Sequence, residues 1–166
     1  MKRHKAGILL LGLTLAMPLV SCSDASRPDA TSNPSEKLSP ATPGSVVGTV
    51  VRFSTGTSSL DVTIAEDNPA TRDFVGMLPL TLTMEEFAGR EKIADLPGPL
   101  RHEGSPGSDP EDGDLIYFVP WGNLGFYYDA SGIGFSDQTI HLGRYDASRE
   151  ELSRFDGQEV RVEVSR

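Results

Sequence analysis

Cysteine is almost missing from this chain: one, Cys22, occurs in 166 residues. No internal disulfide can form, and a cysteine-rich metal cluster is excluded. Histidine is nearly as scarce, at three. His4 lies in the leader described below, and His102 and His141 lie far apart, so a zinc site lacks ligands. No Gly-x-Ser-x-Gly elbow, Walker loop or Gly-x-Gly-x-x-Gly fingerprint follows a strand, so neither a cofactor nor a nucleophilic enzyme is signalled. Basic residues are also short, with 15 Lys and Arg against 24 Asp and Glu, a formal charge of −9. An acidic surface repels phosphate backbones and anionic headgroups, which argues against nucleic acid and polybasic membrane docking.

Long apolar runs are lacking too, with one informative exception. Lys2, Arg3 and Lys5 precede an apolar stretch from Ala6 to Met17. It is short of the ~20 residues that span a bilayer and suits the core of an export signal. Leu19-Val20-Ser21-Cys22 follows and looks like a bacterial lipobox. The expectation is cleavage after residue 21 and diacylglycerol on Cys22, which also accounts for the lone thiol. At about 0.8 kcal/mol per buried CH₂, such an anchor would hold the chain at a membrane of the cell envelope, facing the extracytoplasmic side. Residues 1–21 take three basic residues and no acid with them, leaving 12 against 24, a formal −12.

From 22 to 45 the chain is rich in Ser, Pro, Thr and Asp and holds one large aliphatic residue, Leu38. That composition cannot bury enough apolar area to offset ordering, so a disordered tether is expected. Residues 46–166 are long enough for one core. Their pattern is mainly β. Strands are expected over Val46–Phe53, Leu60–Ile64, Leu80–Met84, Leu115–Val119, Leu124–Tyr128, Thr139–Leu142 and Val160–Val164, with a weaker one over Glu91–Leu96. Asn68 as cap and Pro69 at the first position open a helix with Ala70, Phe74, Met77 and Leu78 on one face. Ser148 and Glu151 form a capping box for a second helix with Leu152 and Phe155 inward, ended by Gly157. Many short strands and two short helices argue a closed β-barrel.

Three stretches carry a family resemblance: Asp67–Phe74, Leu78–Glu85 and Glu91–Ala94. Gly113–Tyr117, Pro120–Leu124 and Ile140–Arg144 continue it in order. The set resembles the bacterial cyclophilin-like domain family, over about residues 46–165. The resemblance implies a cyclophilin-like barrel with helices closing its ends, and little chemistry. Cyclophilins themselves are prolyl isomerases that place an arginine over the prolyl nitrogen. Their Phe-His-Arg and Gln-Gly-Gly-Asp segments are absent, and Arg52, Arg90 and Arg144 lie in no matching segment.

Pro120-Trp121-Gly122-Asn123 carries the only tryptophan and is the favoured ligand contact. Tyr117, Phe126 and Tyr128 on the flanking strands extend it into an aromatic cleft with Trp121 and Asn123. The plainer reading of the same corner is a plug, Trp121 closing the barrel end and Asn123 satisfying the turn. Glu91 and Lys92, beside Glu85, Glu86 and Arg90, read as an exposed charged loop, or as an anion site. Asp109, Glu111, Asp112 and Asp114 read as a solvated acidic loop without calcium-loop register. Two functions follow: a non-catalytic module that binds a small ligand or extended peptide, or an extracytoplasmic peptidyl-prolyl isomerase.

Overall fold

The computed structural model describes residues 44–165. The leader, Cys22 and nearly all of the tether lie outside the described residues. Eight strands form one closed antiparallel barrel: β1 (Val50–Ser54), β2 (Ser59–Ile64), β3 (Leu80–Phe87), β4 (Glu91–Asp95), β5 (Asp114–Phe118), β6 (Asn123–Tyr127), β7 (Thr139–Tyr145) and β8 (Gln158–Val164). Around the ring the order is β1-β2-β7-β5-β6-β4-β3-β8, with β8 paired back to β1. Helix α1 (Pro69–Met77) joins β2 to β3 at one rim, and α2 (Arg149–Ser153) joins β7 to β8 at the other.

Period-two alternation builds the wall. Leu60, Val62 and Ile64 point inward from β2 while Asp61 and Thr63 face solvent. An eight-stranded barrel is just wide enough for side chains to fill. Phe53 of β1 and Phe126 of β6, on opposite sides of the ring, meet edge-to-face with centroids 5.0 Å apart. Such a pair adds roughly 0.5–1.5 kcal/mol to its burial. The lumen is therefore packed core.

Asn68 accepts from Thr71 N–H at 3.0 Å, and Thr71 Oγ1 accepts from Asn68 N–H at 3.0 Å, so the first helix is capped on both sides. Phe74 and Ala70 are fully buried beneath it. The second helix has the expected box between Ser148 and Glu151, with Leu152 buried.

Boundaries moved for local reasons. β1 starts at Val50, because Gly48 at φ 83° turns the chain and Thr49 N–H closes onto the Val46 carbonyl at 3.1 Å. β3 runs on to Phe87, since Glu85, Glu86 and Phe87 pair with β4. β7 continues to Tyr145 past an irregularity opposite Leu115 and Ile116. Val164 alternates with Val160 and Val162, but at the rim it is exposed.

Candidate functional site

The five aromatic and amide residues expected to form one cleft do not meet. On β6 alternation sends Leu124 and Phe126 into the lumen and Asn123, Gly125 and Tyr127 outward. Tyr117 also points inward, fully buried, its hydroxyl accepting from Leu100 N–H at 3.2 Å. Asn123 is buried on the wall between Asp95 and Phe118. Tyr128 lies at the α2 rim, its hydroxyl donating to the Glu86 carboxylate and its ring 5.0 Å from the Arg149 guanidinium. Trp121 alone stays accessible, at 57% exposure, so it does not plug the barrel.

Trp121 does organise a different aromatic surface, on the outside of the wall. Phe87 of β3 and Phe118 of β5 both meet its ring edge-to-face, at 5.3 and 5.5 Å. Both phenylalanines are half-buried. Glu91 belongs to the same outer face, paired across the ladder with Phe87 on one side and Tyr127 on the other. Gly125 makes room for it: a Cβ there would overlap the Glu91 carboxylate and crowd Ile116. Below, Ile116, Tyr127 and Ala130 form a small apolar cluster outside the lumen, with Phe118 packed against it.

Glu91 is half-buried and makes no ion pair among the described residues. Burial pushes its carboxyl up to about 7, opposed by a hydrogen bond from Tyr127 and reinforced by the charge of Glu86. Tyr127 is itself pushed up to about 12, by burial first and then by Glu91. The outer wall thus offers exposed π-surface beside an acid poised near neutrality, a combination common at binding and catalytic sites. Sequence reasoning placed Glu91 in an exposed charged loop. The register of β4, with Ala94 inward and Ile93 outward, is the signal that locates it.

The same parity corrects Lys92. It points inward, almost fully buried, with its ammonium 2.9 Å from Glu86 and 2.8 Å from Asp156. A lysine so engaged is part of the α2-rim closure and presents no free anion site.

The acidic loop is only partly solvated. Asp109, Glu111 and Asp112 are exposed, but Asp114 is buried at the start of β5. It faces His141 Nε2 at 3.5 Å and Arg144 Nε at 3.2 Å, while His141 Nδ1 lies 3.2 Å from Glu66. A carboxylate faces each ring nitrogen, which favours the protonated form of the imidazole. Asp114 is the largest cause that raises its pKa, and Glu66 adds to it. No group of three or more His, Cys, Asp or Glu among the described residues is arranged to hold a metal.

The three arginines considered for isomerase chemistry are all engaged. Arg52 grips Asp61 through two 2.7 Å bonds, Arg144 holds Glu111 at 2.9 Å, and Arg90 donates to the Ser131 carbonyl at 2.8 Å. A cavity of about 740 Å³ lies between β1, β8 and Pro79. It is an open groove whose cations Arg52 and Arg161 already hold Asp61 and Glu163. The aromatic wall, with its unpaired acid, is the better candidate.

An eight-stranded antiparallel barrel in this ring order, closed at its two rims by helices, defines a cyclophilin-like architecture. The sequence profile of the cyclophilin-like family matches residues 53–165, and the chain belongs to that family. The solution structure of a hypothetical protein from Archaeoglobus fulgidus is similar over 75% of this chain and 100% of its own length. Its TM-score is 0.54 at 19% identity, a likeness of fold alone. No curated protein matches the sequence significantly.

Proposed function

We propose that this protein is a lipid-anchored extracytoplasmic binding module that takes a small ligand or an extended peptide on the outer aromatic wall. The observation that carries the reading is Trp121, exposed and edge-on to Phe87 and Phe118, on the face that bears unpaired Glu91. Exposed aromatics beside a convergent polar group bind ligands through area burial and orientation together. A cyclophilin-type isomerase needs a guanidinium over the prolyl nitrogen, and Arg52, Arg90 and Arg144 are each committed to another partner. Binding without turnover is therefore the reading adopted. The lipobox around Cys22 supports the anchor.

Trp121 is the only tryptophan, so its fluorescence reports on the wall directly. Titration with proline-containing peptides and small aromatic ligands is expected to give a saturable change. Trp121→Ala, read by calorimetry, should weaken binding by about 1–3 kcal/mol. Equal affinity in that variant would remove the wall as the site. Cys22→Ala should release the protein from the membrane fraction, and full retention would overturn the anchor.

A further inference from the structure

The barrel wall has a slit between β3 and β4, and its origin is readable in the hydrogen-bond parity. Ser165 N–H donates to the Val50 carbonyl at 2.8 Å, which marks Arg161 and Glu163 as the β8 residues bonded to β1. Val160 and Val162 then bond to β3 through Leu82 and Leu80. The main-chain groups of Thr81, Thr83 and Glu85 are left aimed at β4. On the other side, Tyr128 N–H donates to the Arg90 carbonyl at 3.0 Å, so Lys92 and Ala94 face β6. Glu91, Ile93 and Asp95 therefore face β3.

Glu85 meets Ile93, and there the ladder ends: neither Thr83 with Asp95 nor Met84 with Ala94 is paired. The next residue of the same parity after Asp95 is Pro97, which has no N–H to give. The two strands part, and between them opens a cavity of about 340 Å³ lined by Thr81, Thr83, Glu85, Ile93, Asp95 and Pro97. Its rim is acidic. Glu85 and Asp95 line it, and Glu159 of β8 is the ladder partner of Thr83 on the neighbouring strand. All three are exposed, and none makes an ion pair among the described residues.

We infer that this slit is a docking site for an extended peptide segment bearing basic side chains, which pairs antiparallel with Thr81 and Thr83 of β3. With no ladder partner on β4, their main-chain groups are alternate donors and acceptors along one strand, and another strand can pair with them. Antiparallel pairing is slightly the more stable per residue. The three carboxylates select lysine or arginine at the outward positions, and they disfavour a second copy of this chain, whose slit carries the same charge.

The test uses the full chain and a capped pentapeptide alternating lysine and valine. Binding is followed by calorimetry, and exchange of the Thr81 and Thr83 amides by NMR. The peptide is expected to bind saturably and to slow exchange of both amides at least tenfold. The same peptide N-methylated at alternate residues, and one alternating glutamate and valine, should each bind at least tenfold more weakly. The double variant E85K/D95K, with its fold checked by circular dichroism, should lose about tenfold in affinity for the basic peptide. No binding at millimolar peptide would overturn the proposal. So would equal binding of the N-methylated peptide, unchanged exchange at Thr81 and Thr83, or protection of those amides by self-association without peptide.

Discussion

Lys92 brings a positive charge into the α2 rim and meets two acids that do not share its burial. Its side chain is 3% exposed, against 36% for Glu86 and 50% for Asp156. The penalty for breaking such a contact falls on whichever group is left dry and unpaired. Asp156→Ala leaves the buried ammonium with Glu86 alone and is expected to cost about 2–3 kcal/mol. Lys92→Met leaves two acids that water reaches and fills the space with an apolar chain, at about 1 kcal/mol or less. Urea unfolding of the two variants gives the comparison, and the reverse order would refute this account. The residue scale was the least legible in the sequence. Lys92 and Glu91 are neighbours of like polarity, and only the inside-outside register of β4 sends one to the core and the other to the aromatic wall. Tyr117 and Phe126 were aromatic candidates for a cleft, yet parity commits both to the lumen.

At the scale of elements, glycine separates close approach from open helix surface. Gly143 sits where β7 passes β2, and a Cβ there would drive into the Thr63 carbonyl, a main-chain atom with nowhere to go. Gly143→Ala is expected to destabilise by about 1–3 kcal/mol. Gly76, near the end of α1, has nothing within 4 Å of its absent Cβ and an ordinary helical φ. Gly76→Ala should therefore stabilise by about 0.5–1 kcal/mol. Thermal melts of the pair would show opposite signs, and a neutral Gly143→Ala would mean that β2 and β7 separate easily. Elements were largely legible, because Asn68 with Pro69 and Ser148 with Glu151 are local signals, and alternation marks β2 and β8 without any tertiary information. What escaped was ladder length. β3 extends to Phe87 and β7 to Tyr145 because partner strands pair with residues whose own composition is neutral to strand.

For the molecule as a whole, the titrating groups set where on the pH scale the barrel is most stable. Glu91 has its folded pKa raised from 4.5 to about 7. Its contribution is full below 4.5 and is lost as pH rises to about 7. His141 is raised above 6.5 by Asp114 and Glu66, so its contribution is full below 6.5 and disappears through its higher folded value. Asp61, Asp73 and Asp114 are lowered from 3.8; they stabilise above that value and lose the effect as pH falls through their folded pKa values. The three windows leave an optimum at about pH 4–4.5, and the acidic surplus of the chain works the same way at higher pH. Melting temperature should peak there and decline toward pH 8. Glu91→Gln should flatten the decline between 4.5 and 7, gaining on the order of 1 kcal/mol at pH 8, since a half-buried acid is partly screened by water. His141→Gln should flatten it above 6.5. A melting temperature that rises from pH 5 to pH 8 would contradict these assignments. At this scale the barrel class was legible from many short alternating strands, whereas the slit between β3 and β4 was not. It depends on which parity Pro97 falls on, and that is fixed only once β4 has β6 as its neighbour.

The ring order has a consequence in time. Among the described residues β8 is the last strand of the barrel in sequence, yet it sits between β1, the first, and β3. Until residues 158–164 are in place, a folding chain carries two open strand edges, with Val51, Phe53 and Leu82 beside them, that β8 has yet to pair with. Closure is a single late event that joins the two ends of the domain, and non-local pairing of this kind is slow. The vulnerable period for this barrel is the interval between the emergence of β3 and the arrival of its final seven-residue strand.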